Sequence, residues 1–263
     1  MKITQYEIST SKINGKVTIA CVSDLHARKS DKVISALRAL SPDLILLAGD
    51  IFEVANEYME KRNINSFEFI SKAVGIAPVY YCFGNHEIYY SHAMKEKDRI
   101  PEEAMAKEYI NKISDTGVNL INDKFTEFAL KNGEGLLIGG LICGRDKDPA
   151  QAKEFDEIFL EKFAKIPGFK ILLCHYPHYY EKHLKDTDFD LILSGHAHGG
   201  HWRFFNRGVY APHQGLFPKF TFGMHDGRLI ISTGAVNNSK PIPRFFNPTE
   251  ILKITIRGNE EMQ

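Results

Sequence analysis

The chain has 263 residues, with 33 lysines and arginines, 33 aspartates and glutamates, and a formal net charge of zero when its histidines are neutral. This balance argues against the broad basic surface of a nucleic-acid-binding protein, so we expect no nucleic-acid partner. No stretch approaches the roughly 18 consecutive apolar residues of a membrane span, and no apolar signal segment follows the N-terminus. The sequence predicts a cytoplasmic protein with no transmembrane segment and no obligate protein partner, and it leaves peripheral membrane association open.

Seven short apolar runs recur along the chain, and each is continuous rather than alternating. They cover residues 17–22, 44–48, 79–83, 136–142, 171–174, 191–193 and 229–232. Continuous runs are typical of strands that are buried on both faces. The four cysteines lie in or beside such runs without any Cys-x-x-Cys pair, so we expect reduced thiols in the core.

Amphipathic patterns between the runs predict helices at residues 31–40, 56–74, 101–114 and 151–165. Alternating strands and helices predict βαβ units and a largely parallel sheet early in the chain. Residues 199–223, rich in glycine and aromatic side chains, and the strands after them predict antiparallel pairing and a second sheet. With no repeat and no obvious linker, residues 1–263 are interpreted as one domain.

Polar side chains that can bind metals follow five of the predicted strands. They are Asp24, His26, Asp50, Asn85, His86, His175, His196 and His198. Ligands of open α/β sheets gather at the carboxyl ends of strands, where these residues stand. In an extended backbone residues i and i+2 point the same way, which predicts that Asp24 with His26, and His196 with His198, aim into one cleft.

Carboxylate, imidazole and amide donors suit manganese, iron or zinc ions. The residues divide into two four-ligand sites that share Asp50: Asp24, His26, Asp50 and His198 form one, and Asp50, Asn85, His175 and His196 form the other. Two metal ions bridged by a carboxylate lie ~3.5–4 Å apart and hold a hydroxide beside a phosphoryl group. A lone aspartate here would be interpreted as a helix N-cap, and a lone histidine as a core residue. A structural zinc domain would be richer in thiolates.

These motifs resemble those of the calcineurin-like metallophosphoesterase superfamily. They are Asp24-Leu25-His26, Gly49-Asp50, Gly84-Asn85-His86-Glu87, His175 and Gly195-His196-Ala197-His198, and the likeness extends from about residue 17 to 255. The resemblance implies an α/β fold in a four-layer αββα sandwich, two mixed β-sheets flanked by helices, with the ligands assigned above. It also implies that His86 is a catalytic residue outside the ligand set, with Glu87 and Asp50 as candidates to orient it.

Within the superfamily, the stretch 195–201 and the ending 243–251 resemble a bacterial branch that contains small phosphodiesterases. This resemblance implies a hydrolase that acts on small-molecule or lipid-like phosphate esters and favours diesters. It also implies a mechanism in which a metal-bridging hydroxide attacks phosphorus in line. Glu53 stands where many relatives have aspartate, so its role is open. A phosphomonoesterase or protein phosphatase with the same site, and a non-catalytic metal-binding scaffold, are the alternatives.

The residues after His198 combine aromatic and cationic side chains, including the single tryptophan. They predict either a cleft wall in which Arg203 or Lys219 meets substrate phosphate, or a packed aromatic hairpin with solvated cations. We expect His201, His213 and His225 at the rim of the cleft. Residues 88–104 are interpreted as a loop that either caps the site or only connects two elements.

Overall fold

The computed structural model describes residues 1–53, 57–88, 102–143, 155–236 and 243–258, which form two six-stranded sheets and two short ribbons. The first sheet runs, from edge to edge, through β1 (Lys2–Ser9), β16 (Glu250–Arg257), β2 (Lys16–Val22), β3 (Leu44–Ala48), β4 (Val79–Cys82) and β5 (Asn119–Leu120). The second runs through β14 (Gly223–His225), β15 (Leu229–Ile231), β9 (Leu191–Ser194), β8 (Phe169–Cys174), β7 (Gly135–Leu141) and β6 (Lys124–Ala129). The ribbons pair β10 (Arg203–Phe204) with β11 (Arg207–Gly208), and β12 (Tyr210–Ala211) with β13 (Gly215–Leu216).

Both sheets are mixed, as predicted. In the first, β2 to β5 are parallel, while β16 is antiparallel to β2 and parallel to β1. In the second, β7, β8, β9 and β15 are parallel, and β6 and β14 form antiparallel edges. β14 and β15 belong to a second sheet and form an antiparallel pair, as predicted, but β6 to β9 also belong to that sheet. Local sequence cannot assign a buried strand to one sheet or the other, since continuous apolar runs look alike in both.

Helices cover Asp31–Leu40, Glu57–Val74, Glu102–Ser114 and Glu157–Ala164. The predicted start of the last helix at residue 151 is wrong, because Phe155 and Asp156 precede the helix and the Asp156 carboxylate caps it, accepting a hydrogen bond from the Phe159 amide at 2.9 Å. A helical turn also covers residues 85–88, and residues 89–101, most of the predicted capping loop, lie outside the described part of the chain. Among the described helices, none combines the length and apolar character that crossing a bilayer requires.

Three hydrophobic layers hold the four structural layers together. The helices at 31–40, 57–74 and 102–114 pack on one face of the first sheet, against residues such as Val22 and Leu47. The opposite face, with Ile19 and Leu46, packs on the second sheet. The outer face of the second sheet packs on helix 157–164. This is the predicted αββα sandwich, and the four cysteines are free and buried within it.

Candidate metal centre

The side chains predicted at the strand ends lie together, where parallel strands of both sheets present their carboxyl ends. The first sheet supplies the loops after β2, β3 and β4, and the second supplies those after β8 and β9. These loops carry seven buried side chains: Asp24, His26, Asp50, Asn85, His175, His196 and His198. Residues far apart in the sequence become neighbours because parallel strands end at one edge.

The backbone of these loops is left-handed rather than extended. Asp24, His26, Asp50, His196 and His198 have positive φ, between 46° and 65°. The prediction that Asp24 with His26, and His196 with His198, converge through an extended i, i+2 backbone is therefore wrong. Residues other than glycine are uncommon in this region, and such conformations collect at functional sites where the surrounding structure enforces them.

Two glycines allow the backbone to pass directly beside the clustered side chains. Gly49 has a φ of 86°, and a Cβ there would lie 2.4 Å from Nδ1 of His175. A Cβ on Gly195 would lie 2.5 Å from Oδ2 of Asp24. Both contacts are too short for real atoms, so the Gly-Asp and Gly-His-Ala-His motifs need glycine for steric reasons.

One cluster, the Asp24 group, consists of Asp24, His26 and His198. The Nε2 atoms of the two histidines lie 3.2 Å apart. Oδ1 of Asp24 lies 3.9 Å from Nε2 of His26 and 3.5 Å from Nε2 of His198. Three potential ligand atoms therefore converge on one point.

A second cluster, the Asp50 group, consists of Asp50, His175 and His196. Nδ1 of His175 lies 2.7 Å from the carbonyl oxygen of Ala48, and its Nε2 lies 3.0 Å from Oδ2 of Asp50. The same Nε2 lies 3.9 Å from Oδ1 of Asp24, so the two groups adjoin. Asn85 belongs to the neighbouring turn, in which the amide of His86 donates to Oδ1 of Asp50 at 2.9 Å.

The buried charges depend on one another. Burial, together with the repulsion of Asp50, raises the pKa of Asp24. Burial also opposes ionisation of Asp50, but His175 and His86 hold the pKa of that carboxyl well below its ordinary value. Burial holds the pKa of His196 and of His198 well below the ordinary value, so both rings are neutral and keep a lone pair for a ligand. Two adjacent buried carboxylates with neutral imidazoles form an environment that favours a cation.

His86 lies beside both groups, and Glu53 orients it. Oε1 of Glu53 lies 2.5 Å from Nδ1 of His86, and Oε2 lies 3.4 Å from Nδ1 of His26. Burial lowers the pKa of His86, but Asp50 and Glu53 outweigh it and raise the pKa to about 9. Glu53, whose role the sequence left open, therefore contacts both rings through a side chain that is one methylene longer than aspartate. Asp50 is one of the two residues predicted to orient His86, and its Oδ2 lies 3.9 Å from Nε2 of His86.

Glu87 does not bond the His86 ring in this structure and instead fastens two loops to each other. Its carboxylate accepts hydrogen bonds from the amides of Asp50, Phe52 and Gly84, at 3.0, 2.9 and 2.8 Å. The Tyr81 hydroxyl donates to it at 2.5 Å. Glu87 thus fixes the loop that carries Asp50 relative to the turn that carries Asn85 and His86.

Arg203, one of the two cations predicted to contact substrate phosphate, packs against its own loop. The Arg203 guanidinium lies 3.5 Å from the centre of the Phe222 ring, and its Nε donates to the carbonyl of Gly199 at 3.2 Å. A different arginine, which the sequence analysis did not single out, reaches the centre: Nη2 of Arg244 lies 3.3 Å from Nδ1 of His198. Its only sequence signal was its place in the family-like ending 243–251.

Two of the predicted rim histidines stack on clustered rings. The His201 ring lies 5.8 Å from that of His198, and the His213 ring lies 5.3 Å from that of His196, both nearly parallel. The third, His225, lies 5.2 Å from the ring of Phe220. Aromatic rings therefore continue from the buried clusters towards the surface.

The model of the calcineurin-like phosphoesterase family matches residues 17–200, a segment that includes every residue of both clusters. The chain belongs to the calcineurin-like phosphoesterase family. Membership implies divalent metal ions, which the His and Asp clusters could hold.

The chain is less than 30% identical to each of three relatives. It is 27% identical to a metallophosphoesterase of Campylobacter jejuni, Cj0846, over 98% of its own length and 64% of that protein. It is 29% identical to phosphodiesterase YaeI of Escherichia coli, over 62% of its length and 51% of that protein. It is 24% identical to the UDP-2,3-diacylglucosamine pyrophosphatase LpxG of Chlamydia muridarum, over 89% and 81%. The chain thus spans less than two thirds of the first two relatives.

Unpaired polar atoms of the clustered residues fit metal binding. Oδ1 of Asn85 and Nε2 of His196 are buried and have no hydrogen-bond partner among the described residues. Burial lowers the pKa of His175, but the Asp50 carboxylate outweighs it and raises the pKa to about 10, so the protonated ring pairs with Asp50, its Nε2 lying 3.0 Å from Oδ2. Buried polar atoms are almost always paired, so the unpaired atoms of Asn85 and His196 are available to a ligand such as a metal ion.

Proposed function

We propose that this chain is a phosphohydrolase that uses two divalent metal ions and favours phosphodiesters. The observation that carries the proposal is the pair of adjoining buried groups, each rich in imidazole and carboxylate and joined by the 3.9 Å approach of His175 to Asp24. A single structural site would need only one such group. Two adjacent groups suit phosphoryl chemistry, in which attacking and leaving oxygens both need stabilisation.

Asp24, His26, Asp50 and His198 would hold one ion, and Asp50, Asn85, His175 and His196 the other, with Asp50 shared. Manganese, iron and zinc all suit these donors. Two such ions, when bound, activate water and neutralise charge on the phosphoryl oxygens. The neutral amide of Asn85 adds no negative charge to its site, which leaves more positive charge to attract an anionic substrate.

His86 would act on the substrate without binding metal. Its side chain is 21% exposed, more than those of the clustered residues Asp50 and His175, so it can meet a phosphate ester that enters from solvent. Glu53 fixes Nδ1, which leaves Nε2 to donate a proton to the leaving oxygen or a hydrogen bond to the phosphoryl group. Glu53 is thus a positioning residue.

The preference for diesters is supported by relatives rather than by site geometry. YaeI is named a phosphodiesterase and LpxG a pyrophosphatase of a diacylated sugar nucleotide. We therefore propose a small-molecule or lipid-like phosphate ester as substrate, and Arg203 as a residue that approaches it by a modest movement from Phe222. A phosphomonoesterase with the same residues is the competing proposal.

Hydrolysis of bis-p-nitrophenyl phosphate and p-nitrophenyl phosphate, measured side by side, tests the proposal. Metal-stripped protein should be inactive and should recover activity with Mn²⁺, Fe²⁺ or Zn²⁺, Mg²⁺ serving as a comparison. The variants His86→Ala and Asp50→Asn should lose turnover, and elemental analysis should find two ions in the parent. Preference for the monoester would overturn the substrate class, and two bound ions without turnover of either compound would favour a scaffold.

A further inference from the structure

A cluster of exposed apolar side chains lies next to the metal centre. Most of the large apolar residues that are exposed in the described chain fall in two short segments: Trp202, Phe204, Phe205, Tyr210, Leu216, Phe217, Phe245 and Phe246. We call these eight residues the aromatic surface. Contiguous exposed apolar patches are rare on monomeric proteins and mark sites of interaction.

The two segments are tied to each other and to the centre. The amide of Arg203 donates to the carbonyl of Phe245 at 3.0 Å, and the Trp202 indole donates to the carbonyl of Pro243 at 2.8 Å. The Asn247 side chain donates to the carbonyls of His198 and His201, at 2.7 and 3.1 Å. The aromatic surface therefore has a fixed position beside His198.

Three phenylalanines of this surface have an unfavourable backbone. Phe205, Phe217 and Phe246 have φ of 48°, 52° and 53°, and Phe205 is fully exposed while Phe246 is 80% exposed. A bulky residue at positive φ is a clear outlier, and an exposed ring buries little that could compensate for it. Asparagine or glycine would suit these positions better for folding, so local stability does not explain the three phenylalanines.

The charge of this region is strongly biased, although the whole chain is neutral. Among the described residues between 199 and 249, the charged ones are Arg203, Arg207, Lys219, Asp226, Arg228 and Arg244, and the Glu181 carboxylate from outside this stretch pairs with Lys219 at 2.7 Å. A cavity of about 410 Å³ is lined by Arg207, Lys219 and His225 together with Phe217 and Phe222. Cationic and aromatic side chains share one opening, which suits an anionic head group attached to an apolar body.

We propose that the aromatic surface docks on an anionic phospholipid bilayer, with the cavity around Arg207 and Lys219 receiving a lipid phosphate. The phenylalanines stand at separate turns rather than lining a groove, which favours insertion into a fluid interface over capture of a folded protein. Exposed apolar rings with flanking cations are the recognised features of interfacial binding, since buried apolar area and attraction to anionic lipid add together. Docking needs no catalysis, so this proposal goes beyond the proposed function and stands independently of it.

Vesicle binding of the full chain tests the docking. The probes are vesicles of phosphatidylcholine alone and of phosphatidylcholine mixed with phosphatidylglycerol, with association measured by co-sedimentation. Trp202 is the only tryptophan and belongs to the surface, so its emission should shift to shorter wavelength when anionic vesicles are added. Binding should weaken as salt is raised, because charge contributes to it.

The deciding variant is Phe205→Asn with Phe217→Asn and Phe246→Asn, which should fold at least as well, because asparagine tolerates positive φ. It should bind anionic vesicles at least about tenfold more weakly, while its turnover of bis-p-nitrophenyl phosphate stays unchanged. The matched control, Ile64→Ser with Ile110→Ser and Ile158→Ser, removes three exposed apolar side chains elsewhere and should bind like the parent. Arg207→Gln with Lys219→Gln should abolish the preference for anionic vesicles.

No vesicle association by the parent, or equal association by the asparagine variant, would overturn the proposal. Self-association of the parent without lipid, abolished in the asparagine variant, would also overturn it and would assign the surface to a second copy of the chain. Loss of vesicle binding with retained turnover would leave the proposed function intact, because that function is tested by substrate preference, turnover and metal content.

Discussion

Glu53 bonds the Nδ1 atom of His86 at 2.5 Å while its second oxygen lies 3.4 Å from Nδ1 of His26. One carboxylate therefore positions both a proposed metal ligand and the proposed catalytic histidine. Such carboxylate–histidine contacts fix the tautomer and the direction of the ring, and they couple the two roles.

The Glu53→Gln variant tests this positioning role. We expect kcat for bis-p-nitrophenyl phosphate to fall ~10–100-fold with little change in KM, because Glu53 acts through His86 rather than on substrate. Glu53→Asp, which shortens the side chain by one methylene, should recover part of the activity. The exposed Glu68→Gln on helix Glu57–Val74 serves as control. Full kcat in Glu53→Gln would show that His86 needs no carboxylate partner.

Removal of the His86 ring should depend on the leaving group. We expect His86→Ala to lower kcat by about 10²–10⁴ for a phenyl ester, and by less for the p-nitrophenyl ester, whose leaving oxygen needs protonation less. Metal content should stay at the parental value, because His86 is not proposed as a ligand. Equal losses for both esters would assign His86 to stabilising the phosphoryl group and would exclude proton donation.

The steric demand at Gly195 predicts a local failure of metal binding. In Gly195→Ala the new Cβ would meet Oδ2 of Asp24 at 2.5 Å, so Asp24 must move. We expect loss of at least one bound ion by elemental analysis, together with loss of turnover. The matched variant Gly75→Ala adds a Cβ whose nearest neighbour is 3.5 Å away, and it should keep both. Undiminished metal content in Gly195→Ala would argue that Asp24 is not a ligand.

Glu87 is predicted to matter for stability. Glu87→Gln puts an amide donor near three backbone amides that now donate to the carboxylate. We expect the free energy of unfolding to fall by about 3 kcal/mol, as measured by chemical denaturation. Tyr81→Phe, which removes one hydroxyl donor to Glu87, should cost only about 1 kcal/mol. An equally stable Glu87→Gln protein would show that these hydrogen bonds contribute nothing net.

The sequence predicted all seven of the continuous apolar strands and the first helix, Asp31–Leu40, because burial on both faces and amphipathic periodicity leave a local pattern. It also placed Asp24, Asp50 and His175 at strand ends, since each lies within two residues of the end of its strand. It gave no signal for β1, whose residues alternate between exposed and half-buried at the edge of a sheet, and it did not reveal that β16 returns to pair with β2. Those pairings join the two ends of the chain.

Only the tertiary structure decided how the site is supported. Neighbouring loops support the left-handed turns at Asp24 and His198. For example, the Asp24 amide donates a hydrogen bond to the carbonyl of Gly49. Glu53, Arg244 and Glu87 reach their partners across loops whose approach depends on how the strands are ordered within each sheet and how the two sheets pack. The sequence by itself determined which chemical groups are present and that they stand at strand ends. Their distances and supporting contacts arise from long-range packing, which leaves no local pattern to detect.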